Sequence, residues 1–246
     1  MRPRFYAPGL DPSVERVELP DEEAEHLVRV LRLGVGAVVD VFDGRGELWR
    51  AEVVAAGKKS AAIRPIERGI PAREIGVRVT LVMSVLKADK MDDVVRDAVM
   101  MGVNAIQPVV SERAEIRMAT LHKSERVARW QRIAVASVKQ CGRAIVPVIH
   151  EALPADQYWT ASTGAVRVMC VEPSAVPGKV ASVHDVPKPG AADVIVGPEG
   201  GWTVPEVAAA RLSGVILMSL GGRTLRADAV PIVALTALLT AWSELT

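Results

Sequence analysis

Ala192-Asp193-Val194-Ile195-Val196-Gly197-Pro198-Glu199-Gly200-Gly201-Trp202-Thr203-Val204-Pro205-Glu206 reads as a strand, a glycine turn and a helix start in immediate succession. The layout recurs downstream, where the apolar run Val215 to Leu220 leads into Gly221-Gly222-Arg223-Thr224-Leu225-Arg226-Ala227-Asp228 and then a helix-like stretch with Pro231 in its first turn. Glycines after a strand let main-chain N–H groups approach a ligand with no Cβ in the way, and α/β proteins bind ligands outside the carboxyl ends of their strands. Thr203 and Glu206 have the spacing of a capping box, so the first helix begins directly after the glycines. Asp228 or Ala227 is the expected cap of the second helix. Two such loops predict one shared ligand pocket.

Working outward, strands and helices alternate from residue 77 onward. Strands are expected over 77–86, 103–110, 146–149, 166–171, 192–196 and 215–220, and helices over 90–101 and 122–140. The run 77–86 is nearly continuous in β-formers, as in a strand buried on both faces. The alternation predicts an α/β fold with a mostly parallel sheet covered by helices. Before residue 70 the pattern is short strands and turns, including Val38-Val39-Asp40-Val41-Phe42 before Asp43-Gly44-Arg45-Gly46, with a helix over 21–31; it predicts a small β-barrel. The polar stretch Arg68-Gly69-Ile70-Pro71-Ala72-Arg73-Glu74 separates the two patterns and sets expected domains of 1–72 and 73–246.

Composition narrows the ligand and the partners. The chain has 246 residues and a formal net charge of +1, so a nucleic-acid partner must be met by a local patch. Arg113, Arg117, Lys123, Arg126, Arg129, Arg132, Lys139 and Arg143 against Glu115 and Glu125 make such a patch, and Arg2, Arg4, Arg29 and Arg32 add cations to the small domain. Solvated helix faces are the alternative for these charges. The cysteines, Cys141 and Cys170, and the four histidines have no metal-ligand spacing, so no metal is expected and both thiols are read as reduced. Asp92 and Asp93, near Lys87, Asp89 and Lys90, fit the first turn of a helix rather than a metal site. No signal-peptide core is visible, and the apolar stretch 229–242 is too short to span a bilayer, so a cytoplasmic, non-membrane protein is expected. Neither the dinucleotide fingerprint nor a Walker motif is present. A pocket made of main-chain groups suits an adenosine-type ligand, with Trp202 either stacking on a ring or anchoring the core.

These motifs resemble the RsmE-type 16S ribosomal RNA uridine-N3 methyltransferases of the SPOUT superfamily. The resemblance is carried by Arg2 to Tyr6, His26 to Arg32, Lys87 to Lys90, Ser111-Glu112-Arg113, Arg129-Trp130, Gln140-Cys141-Gly142-Arg143, Gly197 to Gly201 and Leu220 to Ala227. It implies an N-terminal PUA-like barrel that binds RNA and a C-terminal domain with a deep trefoil knot that binds S-adenosylmethionine and forms a homodimer. The implied reaction is methylation of N3 of uridine 1498 in 16S rRNA of the 30S ribosomal subunit. Cofactor contacts are implied for Glu172, Pro173, Val196, Gly197, Pro198, Gly200, Gly201, Ser219, Leu220, Gly221, Gly222, Thr224 and Leu225. RNA contacts are implied for Arg2, Arg4, Arg29, Arg32, Arg113 and Arg143. Arg226 is expected to stabilise charge on the uracil or hold an RNA phosphate, with Glu199 orienting it. The chain departs from the family pattern at Asp228-Ala229-Val230, where Glu-Thr-Ala is usual, at Lys139, where the family is acidic, and at Ala114, where it has serine. Ribose 2′-O-methylation and a non-catalytic RNA-binding assembly role are the alternatives.

Overall fold

The computed structural model describes residues 2–160, 165–172 and 178–245, in two compact units. The first comprises Met1–Glu74 with Val135–Val146, and the second Ile75–Ala134 with Pro147–Thr246.

In the first unit, β1 (Arg4–Tyr6), β2 (Val17–Glu18), β3 (Val38–Phe42), β4 (Leu48–Ala56) and β5 (Ala61–Arg68) form a sheet of order β1-β3-β4-β5-β2. Only the β1–β3 pair is parallel. Among the described residues no β1–β2 pairing closes the sheet, so the expected barrel is hydrogen-bonded as an open sheet. Phe5, Leu27, Val39, Val41, Val53 and Ile63 fill its core. The helix expected over 21–31 is α1 (Asp21–Glu25) running into a π-helical turn over His26–Val30.

The second unit is built on a sheet that is parallel throughout. It contains β6 (Arg78–Ser84), β7 (Ala105–Val110), β8 (Val148–Ile149), β9 (Leu153–Pro154), β10 (Val166–Cys170), β11 (Ala191–Val196) and β12 (Ile216–Met218). The order is β12-β10-β11-β6-β7-β8, with β9 also on β7. α2 (Lys90–Met100) and α7 (Val230–Ala241) pack together, and α7 also meets β11. α5 (Ala155–Thr160) and α6 (Val204–Leu212) lie against strand residues Val82, Val109, Met169, Ile195 and Leu217 through Tyr158, Trp159, Val207 and Ala210. The neighbouring strand residues Leu81, Met83, Val168 and Val194 are buried as well, which is why the run 77–86 reads as nearly continuous.

The long helix expected over 122–140 is two: α3 (Met118–His122) and α4 (Arg126–Cys141). Between them the Ser124 hydroxyl donates to the Leu121 carbonyl at 2.8 Å, a local bond that competes with the helical ladder. α7 is preceded by Ala229 at its N-cap with no side-chain cap, so neither Asp228 nor Ala227 caps it. No helix among the described residues is long and apolar enough to cross a membrane.

Candidate functional site

A cavity of about 510 Å³ opens at the carboxyl ends of β10, β11 and β12, walled by the chain that follows each strand. It gathers Glu172, Val196, Gly197, Pro198, Glu199, Gly200 and Gly201 with Leu220, Gly221, Thr224, Leu225 and Arg226. The two glycine loops therefore share one pocket. Arg113 also lines it, alone among the arginines assigned to RNA from the sequence. Ser219 and Gly222 do not line it, and Pro173 lies outside the described residues. The Ser219 hydroxyl instead closes a turn, accepting from the Gly221 N–H at 3.2 Å.

The first loop is shaped by close packing. A Cβ on Gly197 would come within 2.9 Å of Trp202 Nε1 and 3.0 Å of Cε2, and Gly201 takes φ +68°, where a side chain is strained. Trp202 anchors the core, its ring meeting Trp159 edge-on with centroids 5.6 Å apart, and it also lines the cavity. Thr203 and Glu206 form the capping box, with the Thr203 N–H donating to Glu206 Oε2 at 2.8 Å. The same carboxylate reaches further, since its Oε1 accepts the Glu112 N–H at 2.9 Å. Arg113 Nη1 then donates to the Gly200 carbonyl at 3.0 Å. The Ser111-Glu112-Arg113 turn is thereby tied once to the glycine loop and once to the first turn of α6.

The charged groups pair otherwise than expected. Glu199 does not orient Arg226; its Oε1 accepts from Lys90 Nζ at 2.9 Å. Arg226 Nε donates to Asp228 Oδ1 at 3.2 Å, and the arginine side chain is 76% exposed. Asp228 is one carbon shorter than glutamate and is spent on this neighbour two residues back. Burial pushes the Glu199 carboxyl up, but the Lys90 hydrogen bond, its own main-chain N–H and the charges of Lys90 and Lys87 outweigh burial and hold it below the ordinary range. Asp228 is held low in the same way, against burial, by its main-chain N–H and Arg226. Cys170, at the end of β10, lines the cavity, but burial pushes its thiol up to about 12, so it is no nucleophile at neutral pH.

Sequence reasoning left Lys90, Cys170, Val171, Val207 and Val230 out of the site. Val171 and Cys170 could have been found by treating every strand end like the two glycine-marked ones. Lys90 gave no such signal, because it was absorbed into a plausible helix start.

Two assigned RNA contacts are corrected by burial. Arg143 is 4% exposed and gives Nε to both Glu74 carboxylate oxygens at 3.0 and 2.9 Å. Arg4 donates to the carbonyls of Val138, Lys139 and Arg143, satisfying the end of α4. Both cations are consumed internally. Arg2 pairs with Asp40 at 3.0 Å and Arg29 with Glu25 at 2.5 Å, both exposed, and Arg32 is exposed in a left-handed conformation at φ 53°. Lys139 pairs with Glu23 at 2.8 Å. Among the described residues no group of three or more histidine, cysteine or carboxylate side chains is placed to hold a metal ion.

The chain that carries this parallel sheet and its glycine-walled cavity is an RNA methyltransferase domain by family: residues 73–239 match that family, and residues 19–66 match the RNA methyltransferase PUA domain. The ribosomal RNA small subunit methyltransferase E of Synechocystis is 30% identical over 221 residues, covering 89% of this chain and 71% of that protein. The chain belongs to the ribosomal RNA small subunit methyltransferase E family. A crystal structure of that enzyme from Neisseria gonorrhoeae, bound to S-adenosyl methionine, superposes with a TM-score of 0.88 at 32% identity, covering 98% of each chain. A methyltransferase from Legionella pneumophila in complex with the same cofactor gives a TM-score of 0.90 at 26% identity, again over 98% of each chain.

Proposed function

We propose that this chain transfers the methyl group of S-adenosylmethionine to N3 of uridine 1498 in 16S rRNA of the 30S subunit. The observation that carries the reading is the single cavity formed by both glycine loops at the ends of three parallel strands. Its wall fits the cofactor. Glu172, Glu199 and Asp228 offer carboxylates to a sulfonium, while Gly197, Gly200 and Gly201 leave main-chain groups open to an adenosine. When bound, S-adenosylmethionine supplies an electrophilic methyl group and no metal is needed.

The chain's own residues bind and orient. Arg113 fixes Gly200, and Glu206 fixes both the turn that carries Arg113 and the start of α6. Uracil N3 lies on the pairing edge, so the target nucleotide is taken unpaired or flipped. Arg226, exposed and aimed by Asp228, holds an RNA phosphate beside the cavity, the second of the two roles its sequence position suggested. Residues 1–72 serve as the RNA-binding PUA-like domain, and residues 73–246 bind the cofactor and dimerise.

The trefoil knot of the SPOUT fold is supported by the strand order, in which β12 follows β11 yet lies beyond β10. The homodimer is supported by α7, which has no charged residue over 230–241 and still leaves Val233 at 38% exposure. The site of action is the cytoplasm, where ribosomal subunits are. Incubation with labelled S-adenosylmethionine and unmodified 30S subunits, followed by nucleoside mass spectrometry, tests the reading. The label is expected on the uracil base; label on ribose refutes it.

A further inference from the structure

Lys90 opens α2, the end of a helix that disfavours a cation, because the aligned peptide dipoles place partial positive charge there. Asp92 and Asp93 in the same turn obey the rule. The Lys90 side chain leaves its helix and donates to Glu199 Oε1 at 2.9 Å, in the loop after β11. Glu199 uses one of the three ammonium donors, so two remain. Lys90 is 26% exposed and lines the cofactor cavity. The other charged groups sharing that cavity wall are Glu172, Glu199, Asp228, Arg113, Arg223 and Arg226. Lys87, nearby, is committed to Glu115 at 2.8 Å. Arg226, the cation expected at the chemistry, is paired with Asp228 and 76% exposed.

The geometry points to Lys90 as a catalytic residue: its ammonium donates to the uracil carbonyl beside N3 and stabilises the negative charge that builds there, while Glu199 is the positioning residue that holds it in the cavity. The inference rests on N3 methylation as the reaction. N3 first gives its proton to solvent, leaving an anion shared with the flanking carbonyl oxygens. The N3 electron pair then forms the bond to the methyl carbon as the sulfur–carbon bond breaks and its pair stays on sulfur, and the base ends neutral. A cation at the carbonyl stabilises this anion more than the neutral base, which is the condition for raising turnover rather than binding.

The test is the pH profile of kcat on unmodified 30S subunits for wild type, Lys90→Met, Lys90→Arg and Glu199→Gln, with S-adenosylhomocysteine binding measured alongside. Lys90→Met is expected to lose roughly 100-fold at neutral pH, the size of one lost oxyanion donor. On a limb that rises tenfold per pH unit, the same loss appears as an upward move of about two pH units. Lys90→Arg keeps the charge and recovers part of the rate, Glu199→Gln falls between it and Lys90→Met, and any change in ligand affinity is smaller than the loss in kcat. Should Lys90→Met not fold, Lys90→Gln carries the same expectation. A loss equal at every pH, or no loss, overturns the role of Lys90. Wild type that leaves no methyl on uracil N3 overturns the reaction itself, and the control in the same assay separates the two failures.

Discussion

Replacing Gly197 by alanine places a methyl group 2.9 Å from Trp202 Nε1, 3.0 Å from Cε2 and 3.2 Å from Cδ1. These are ring atoms, and the ring cannot swing aside, because its edge contact with Trp159 joins it to the core shared by α5 and α6. Either the indole retreats by several tenths of an ångström or the loop shifts into the cavity. Overpacking of this kind costs about 1–3 kcal/mol. In a domain of this size a loss of 2 kcal/mol lowers Tm by roughly 4–8 °C. If the loop takes half of it, ligand affinity falls by roughly fivefold, since 1.4 kcal/mol is tenfold. Gly222→Ala is the matched control: nothing lies within 4 Å of its added Cβ and no positive φ is recorded there. Scanning calorimetry and titration with S-adenosylhomocysteine on both variants should show Gly197→Ala impaired and Gly222→Ala close to wild type. Equal behaviour of the two would refute the packing account of the loop.

Arg143→Met strands Glu74 without its bidentate partner and, with Glu74 24% exposed, should cost roughly 3 kcal/mol in urea unfolding; a loss confined to RNA affinity would restore Arg143 to the RNA surface. Arg226→Ala removes an exposed pair, so stability should change by less than about 0.5 kcal/mol and S-adenosylhomocysteine binding not at all, while the KM for 30S subunits rises. The folded Glu199 carboxyl lies below its ordinary 4.5, so its ion pair with Lys90 is complete above that value and is lost as pH falls through the lower, folded one. The side-chain carboxyl carbon of Glu199, followed by NMR, should keep its ionised shift down to about pH 5 and titrate only in stronger acid; titration already at about pH 6 would contradict the pairing.

The ligand loops were legible because an apolar strand followed by glycines is a local signal, and Thr203 with Glu206 marked the helix start. The pairing of charges was not. Lys90 and Glu199 are 109 residues apart, and only the strand order brings them together. Arg4 and Arg143 count as cations in any charge sum, whereas the fold spends both on internal acceptors. Segment 135–146 belongs with the first unit although its helix is periodic from end to end, because periodicity says which face is apolar and not which body covers it. The break at Ser124 turned on one side-chain bond that the apolar pattern ran straight through.

N3 methylation blocks the pairing edge of uracil, so reverse transcription across the modified nucleotide must stop. The most direct measurement incubates the full chain and S-adenosylmethionine with unmodified 30S subunits and maps stops along 16S rRNA. One cofactor-dependent stop at uridine 1498 is the predicted result. No stop, or a stop at another nucleotide, would contradict the account.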